Sequence, residues 1–290
     1  MKMRRSTMVR LGPVAQTRLM TTTLITGGTG KTGRRVAELL TTLNQPIRIG
    51  SRSGPHPFDW DDESTWKPAL DGCDAAYLAY APDLAFPGAA ELVGRFAATA
   101  IAAGTSRLVL LSGRGEQGAQ HAEQLVIDSG AQWTVIRCAF FAQNFSESTW
   151  VDAIRAGRLE LPGDTVEPIL DADDIAEVVA TVLTEDGHVG QLYELTGPRL
   201  LAFSEAVHEI GEATGRTISF EQVTGSQFAA GLHEAGMPVE EAHSLAELFT
   251  EVLDGHNAHQ GDGVSRVLGR EPRDFSDYVR RTAETGVWGE

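Results

Sequence analysis

Residues 22–36 read TTLITGGTGKTGRRV, and this stretch decides the fold. A short, partly β-branched segment runs directly into a glycine-rich loop, and apolar residues then recur with helical spacing at Val36, Leu39, Leu40 and Leu43. A strand, a glycine loop and a helix in this order predict a dinucleotide-binding turn, because glycines let the backbone approach a pyrophosphate closely. The free N–H groups at the start of the helix would then hold the phosphates.

The glycine loop also resembles a second phosphate-binding pattern. Its spacing fits G-x-G-x-x-G from Gly28 and G-x-x-G-x-x-G from Gly27, but Gly30-Lys31-Thr32 could also end a P-loop, G-x-x-x-x-G-K-[ST]. A P-loop needs a glycine at position 25, where the chain has Ile25 inside the predicted strand. We therefore favour a dinucleotide. The predicted cofactor-binding residues of the loop are Gly27, Thr29, Gly30, Lys31, Thr32 and Gly33.

Strands and helices alternate over the first half of the chain. Apolar runs predict further strands at residues 46–50, 75–80, 107–111 and 133–137, and periodic segments predict helices at 87–103 and 116–128. This alternation predicts an α/β fold, a Rossmann-like doubly wound parallel sheet, with a smaller and mainly helical C-terminal substrate-binding part. In that part we expect Ser204 to cap a helix that ends at Gly215.

The predicted organisation has three segments. Residues 1–20 form a basic extension with five positive charges and no acid, and we expect this extension to be disordered. It could be a transit peptide, an artefact of expression or the result of an upstream start before Met20. Residues 21–145 form the cofactor-binding Rossmann core. Residues 146–290 form a mixed substrate-binding or lid region, which also contributes strands to the core.

The composition narrows the class of protein. The chain has 290 residues, of which 42% are hydrophobic and 22% charged, as is usual for a globular enzyme. Its net charge of -16 disfavours nucleic acid as a partner, since phosphate contacts need a basic surface, and no apolar run of about 18 residues predicts a membrane span. Because only Cys73 and Cys138 are present, we expect a reduced, cytoplasmic protein.

The end of the second predicted strand indicates which dinucleotide binds. NAD-specific proteins of this fold place an acid there to hold the ribose 2′-hydroxyl, whereas an arginine accommodates a 2′-phosphate. No acid occurs between Glu38 and Asp59, and the strand ends in Ser51, Arg52 and Ser53. These three residues predict NADP(H), with Arg34 as a second cation. The alternative is that Arg52 is only a solvated loop residue.

The usual proton donor of short-chain dehydrogenases, a Tyr-x-x-x-Lys pair, is absent. No lysine follows Lys67, and residues 112–130 contain neither tyrosine nor lysine. Either the protein does not catalyse or its substrate needs little help with a proton. We predict no metal site, since His256 and His259 stand in a polar stretch without the H-E-x-x-H pattern.

Several separate motifs together resemble the NmrA-like branch of the atypical short-chain dehydrogenases. They are GGTGKTGRR, GSRSG, LVLLSGRGE, FFAQNF and YELTGP. Within the branch, the chain is most similar to the group that contains the ergot-alkaloid reductases and their bacterial relatives. The resemblance implies hydride transfer from NADPH to an iminium carbon, which needs no added proton. The branch also contains quinone and enone reductases and redox sensors that bind NADP without turnover.

Position and resemblance together select the remaining site residues. Ligands bind outside the carboxyl ends of the strands, so we expect Tyr80, Ala81, Pro82, Ser112 and Gly113 beside the nicotinamide ribose. Phe140, Phe141 and Asn144 are the remaining predicted site residues, because they resemble the family's F-x-x-N segment, which lies near nicotinamide and substrate. Alternatively, both phenylalanines are core residues and Asn144 caps a helix.

The resulting hypothesis is an NADPH-dependent reductase of a small hydrophobic iminium, enone, quinone or carbonyl compound. Ser112 and Asn144 are the candidate catalytic residues. We expect a monomer or homodimer that does not bind membranes. A non-catalytic NADP(H)-binding redox sensor is the alternative.

Overall fold

The computed structural model describes residues 22–148 and 150–289, so the basic extension at 1–20 lies outside the described residues. The strands are β1 (Thr23–Ile25), β2 (Ile47–Ser51), β3 (His56–Pro57), β4 (Ala75–Leu78), β5 (Arg107–Gly113), β6 (Gln132–Cys138), β7 (Arg158–Leu161), β8 (Val166–Glu167), β9 (Gln191–Leu195), β10 (Leu201–Ala202) and β11 (Ser219–Gln222). The helices are α1 (Lys31–Thr42), α2 (Trp66–Leu70), α3 (Ala89–Ala102), α4 (Gln117–Asp128), α5 (Trp150–Arg155), α6 (Ala172–Thr184), α7 (Phe203–Thr214), α8 (Gly225–Glu234), α9 (Val239–Val252), α10 (Gly263–Leu268) and α11 (Phe275–Glu284), with short 3-10 helices at Glu63–Thr65 and Ala142–Phe145.

The central sheet has seven strands in the order β3-β2-β1-β4-β5-β6-β9, and each neighbouring pair is parallel. The order reverses direction between β1 and β4, which creates a crevice at the carboxyl ends of the strands. This topology confirms the predicted Rossmann-like α/β class.

The apolar strands are buried because helices cover both faces of the sheet. Helices α1 and α6 pack on one face, where Val36 and Ile175 contact the cluster around Val109. Helices α3 and α4 pack on the other face, where Phe96 lies with Leu108 and Leu110. Successive residues of β5 thus face opposite layers, as the period of two requires.

The C-terminal half forms a separate apolar cluster. The two small sheets, β8 with β10 and β7 with β11, and helices α7, α8, α9 and α11 surround it. Its largest buried side chains include Phe145, Phe203 and Trp288, whose indole N–H donates to the Phe145 carbonyl oxygen at 2.8 Å. Helix α6 and strand β9, in contrast, return to the central sheet.

The predicted cap at Ser204 is wrong. Helix α7 begins at Phe203 with Ala202 as its N-cap residue, and the Glu205 carboxylate accepts the Ala202 N–H at 2.9 Å. The Ser204 N–H instead donates to Asp164 Oδ1 at 2.8 Å, so a carboxylate from the loop before β8 supplies the acceptor that the sequence pattern assigned to Ser204. The helix ends at Gly215, as predicted.

A buried carboxylate joins α6 to the segment before α11. Asp174 is fully buried; it accepts hydrogen bonds from the Arg270 guanidinium at 2.7 Å, from the Arg273 N–H at 2.7 Å and from the Arg273 guanidinium. Removing one partner of a buried pair leaves unpaired charge. We expect Asp174→Asn to lower the free energy of unfolding by about 2–4 kcal/mol in urea denaturation, and the control Asp152→Asn, whose side chain is 86% exposed, to change it by less than about 0.5 kcal/mol. Equal effects would contradict this role.

Candidate active site

The glycine loop between β1 and α1 can exist only with glycines at specific positions. Gly27 has φ +60°, and a Cβ on Gly33 would lie 2.3 Å from the Gly27 carbonyl oxygen. A Cβ on Gly28 would lie 2.6 Å from Ile49 Cγ2. The loop therefore presents bare backbone at the start of α1, and this cradle fits a pyrophosphate.

The side chains of the loop have different surroundings. Thr29 is exposed, whereas Thr32 is buried and its hydroxyl accepts the Tyr77 hydroxyl at 3.0 Å. The Lys31 ammonium donates to Asn144 Oδ1 at 2.7 Å, and burial lowers the pKa of Lys31. This bond joins the glycine loop to the segment after β6, so the structure brings two of the predicted site regions together.

The loop after β2 leaves an arginine available for a ligand. Ser51 is half-buried and its carbonyl oxygen accepts the Phe58 N–H at 3.0 Å, while Arg52 and Ser53 are exposed. Within the described residues, no hydrogen bond or ion pair engages the Arg52 guanidinium. Arg34, predicted as the second cation here, pairs instead with Glu147 at 2.7 Å.

A cavity of about 220 Å³ lies at the carboxyl ends of β4, β5 and β6 and beneath α9. Its lining includes six of the predicted residues, Tyr80, Pro82, Ser112, Gly113, Phe140 and Phe141. Ala81, which is exposed, and Asn144 are not among the lining residues. The glycine loop is close by, since a Cβ on Gly27 would lie 3.2 Å from the Ala79 carbonyl oxygen, one residue before Tyr80.

Ser112 has its hydroxyl committed to a buried ion-pair network. It belongs to the side of β5 that faces α4, and its hydroxyl donates to Glu123 Oε1 at 2.5 Å. Glu123 also pairs with Arg137 of β6, and Arg137 bonds to Glu194 at 3.2 Å. In this arrangement the Ser112 proton serves the Glu123 carboxylate rather than the cavity.

Phe140 and Phe141 were predicted to be either site residues or core residues, and each has contacts of both kinds. Phe140 lines the cavity and also stacks on Trp150 at 5.4 Å, with Phe249 edge-on at 5.8 Å. Phe141 lines the cavity too, while packing against the α1 and α6 layer. The aromatic wall is therefore rigid because the core supports it from behind. Asn144 does not act as an N-cap, because Phe141 occupies that position.

Sequence reasoning missed the carboxyl groups of the cavity. Asp83 and Glu116 both line it, and burial raises the pKa of each, that of Glu116 to about 8 with further contributions from Asp83, Glu251 and Glu123. The signal was available, because Asp83 follows β4 and Glu116 follows β5 by a few residues, where sites of this fold lie.

A second polar group of the cavity consists of Arg114 and Glu167. They are 4% and 3% exposed, yet Arg114 Nη2 and Glu167 Oε1 have no hydrogen-bond partner in the part of the chain that the structure describes. Burial raises the pKa of Glu167 to about 7, opposed by Arg114 and His256. Asn257 closes this end, since its carbonyl oxygen accepts Arg114 Nη1 at 2.9 Å. Unpaired buried polar atoms are costly, and those at binding sites are available to a ligand.

The described residues contain neither a cluster of metal ligands nor a membrane-spanning helix. Within residues 22–148 and 150–289, no cluster of three or more His, Cys, Asp or Glu side chains could hold a metal ion. The helices in this part of the chain are too short or too polar to cross a lipid bilayer.

Known relatives decide the family. No protein-family profile matches the chain. Festuclavine dehydrogenase of Aspergillus fumigatus is 33% identical over 287 residues, covering 90% of this chain and 97% of that protein. Agroclavine dehydrogenase of Claviceps fusiformis is 32% identical over 295 residues, covering 92% and 98%. The chain belongs to the NmrA-like atypical short-chain dehydrogenases. In this family of NAD(P)-dependent oxidoreductases, an uncharacterised oxidoreductase of Bacillus subtilis is 32% identical over 281 residues, covering 92% and 98%.

Solved structures of two reductases share the fold. Escherichia coli quinone oxidoreductase QOR2 complexed with NADPH superposes with a TM-score of 0.73 at 20% identity, covering 90% of this chain and 99% of that chain. Citrobacter triphenylmethane reductase complexed with NADP(H) gives 0.72 at 17% identity, covering 90% and 100%. The family resemblance and the fold class predicted from the sequence are both confirmed.

Proposed function

We propose that the protein is an NADPH-dependent reductase of small, hydrophobic, electron-poor acceptors, with iminium ions as the preferred class and quinones, enones or carbonyl compounds as further substrates. The cavity carries this proposal, because it combines a flat aromatic wall with buried carboxyl groups beside the glycine loop. A planar cation fits such a site, since ring faces attract positive charge and a bound cation favours the ionised form of the neighbouring carboxyl groups.

The chain's own residues fit NADP(H) as the cofactor. The backbone of the glycine loop would hold the pyrophosphate, and the unpaired Arg52 would bind the 2′-phosphate with Ser51 and Ser53 beside it. When bound, NADPH supplies the hydride. Relatives named for NAD(P)H and NADP(H) chemistry, an azoreductase of Xenophilus azovorans among them, support this assignment.

The region after residue 145 is inferred to provide the substrate side of the site. Its contributions to the cavity are Glu167 and, from α9 and the segment after it, Leu248, Phe249, Val252, Leu253 and Asn257. Together with Phe140 and Phe141, these residues would exclude water from the acceptor. Exclusion of water strengthens the electrostatic interactions of a cationic acceptor with the groups that line the cavity.

A panel of acceptors tests the proposed function. Oxidation of NADPH is followed by absorbance with an N-methylated dihydroisoquinolinium ion, menadione and cyclohexenone. We expect turnover of the iminium ion and no NADPH oxidation with the neutral amine of the same shape, which has no electrophilic carbon to accept hydride. Tight NADP(H) binding without turnover of any acceptor would contradict the proposal and favour a redox sensor.

A further inference from the structure

The carboxyl of Glu116 occupies an unusual place at the floor of the cavity. It follows β5 at the N-cap position of α4, but its side chain does not cap that helix. It folds back over the end of β5 so closely that a Cβ on Gly113 would lie 1.8 Å from Oε2. Oε2 is buried and has no hydrogen-bond partner among residues 22–148 and 150–289. The carboxyl is thus directed at the cavity and unused by the fold.

The groups around Glu116 all favour its protonated form. Asp83 from the loop after β4, Glu251 from α9 and Glu123 from α4 are acids, and Cys138 of β6 is a buried thiol. Of the cations nearby, Arg137 pairs with Glu123, while Arg114 lies 3.7 Å from Glu194 and bonds to the Asn257 carbonyl oxygen through Nη1 alone. Burial and these like charges hold the pKa of Glu116 at about 8, so the carboxyl keeps its proton at neutral pH.

A ligand is indicated independently by the other end of the same cavity. Glu167 and Arg114 are both more than nine-tenths buried and each has an unpaired polar atom. We propose that Glu116 donates the proton that accompanies reduction of quinones and enones in this cavity, whereas iminium ions are reduced without it. This inference rests on the proposed function and adds the donor that the missing Tyr-Lys pair would otherwise supply.

Reduction of an enone consumes one proton in addition to the hydride, whereas reduction of an iminium ion consumes the hydride alone. In an enone, hydride from NADPH forms a C–H bond at the β-carbon, the C=C bond is reduced, and the O–H bond of Glu116 breaks to protonate the resulting enolate. The cofactor is oxidised to NADP⁺, and the carboxylate of Glu116 regains a proton from solvent. In an iminium ion, hydride addition to the C=N carbon gives a neutral amine directly, so no acid is required.

Glu116→Gln tests the donor role, because glutamine keeps the shape but cannot release a proton. We expect kcat for menadione and cyclohexenone to fall about 10²-fold or more, the usual contribution of a general acid, and kcat for the dihydroisoquinolinium ion to change by less than about fivefold. Retained iminium reduction also shows that the variant folds. Glu247→Gln, on the exposed side of α9, is the matched control and leaves both activities unchanged.

The pH dependence gives a second test with a defined direction. In the wild-type protein, kcat for menadione falls as pH rises through about 8, because Glu116 loses its proton, while iminium reduction shows no such fall. Asp83→Asn removes a negative neighbour, lowers the pKa of Glu116 and moves the fall to lower pH. Infrared difference spectra without cofactor should contain a protonated-carboxyl component that disappears as pH rises through about 8 and that is missing when the Glu116→Gln spectra are compared with those of the wild type.

The outcomes separate the two proposals. Equal losses on all acceptors in Glu116→Gln, or no loss on menadione, would overturn the donor role and leave the reductase assignment standing. If the wild-type protein reduces only the iminium ion, the donor role is likewise overturned and the reductase assignment stands. If the wild-type protein reduces no acceptor, both proposals fail. Absence of the infrared band at neutral pH would overturn the donor role whatever the activity.

Discussion

Replacement of Gly33 by alanine is expected to abolish useful cofactor affinity and to destabilise the protein. The new Cβ would lie 2.3 Å from the Gly27 carbonyl oxygen and 2.9 Å from Gly28 Cα, and backbone atoms cannot give way as a flexible side chain can. The loop must move away from α1. Loss of two charge-assisted hydrogen bonds to a pyrophosphate is worth about 3 kcal/mol, so the Kd for NADPH rises on the order of 10²-fold.

Stability provides the second readout for Gly33→Ala. Overpacking of this kind lowers the free energy of unfolding by about 1–3 kcal/mol in urea denaturation. Gly231→Ala is the matched control, because Gly231 lies inside α8 and a Cβ there would meet no atom within 4 Å. That variant should bind NADPH normally and gain up to about 1 kcal/mol from the better helix former. Normal NADPH binding by Gly33→Ala would show that the loop does not hold the cofactor.

Reversal of cofactor preference is the second large effect, expected for Arg52→Glu. Arg52 is exposed and unpaired among the described residues, so its substitution removes no contact of the fold. A carboxylate here repels the 2′-phosphate of NADPH and accepts the 2′-hydroxyl of NADH. We expect the ratio of the two Kd values, measured by nicotinamide fluorescence, to change by about 10²-fold or more.

A charge-matched control isolates the local effect of Arg52. Arg280→Glu makes the same change in net charge on α11, where the side chain is 67% exposed. It should leave the ratio within about twofold, because α11 packs in the C-terminal cluster rather than beside β2, and exposed charges are screened by salt. Similar Kd values for NADPH and NADH in the wild-type protein would contradict the assignment of Arg52 before any variant is made.

The fold was predictable because its signals are local. The type of phosphate-binding loop follows from one short segment, in which Ile25 replaces the P-loop glycine and the glycines from Gly27 to Gly33 have dinucleotide-binding spacing. The periodicity of apolar residues then predicts the alternation of strands and helices. The Ser204 cap was wrong because Asp164, forty residues earlier in the sequence, supplies the acceptor. Such a contact leaves no trace in the helix's own sequence pattern.

The site was predictable in position but less so in chemistry. The strand ends led to Tyr80 and Gly113, and both residues line the cavity; their place beside the nicotinamide ribose stays a prediction. The hydrogen bond from Ser112 to Glu123 could not be predicted in the same way. It depends on which helix layer each residue of β5 faces, and this is known only once the register of β5 in the sheet is known. Beyond its position after β5, the sequence gives no sign that Glu116 could be a proton donor, because a glutamate at a helix start is common and acquires unusual chemistry only through burial.

The central claim is that this chain reduces an electrophile with NADPH, and a single-turnover experiment tests it most directly. Protein with bound NADPH is mixed rapidly with the dihydroisoquinolinium ion, and loss of nicotinamide absorbance is followed together with the amine product. We predict one amine formed for each NADPH oxidised, at a rate that depends on the protein. Stable bound NADPH with no amine formed, under conditions where binding is complete, would contradict the account.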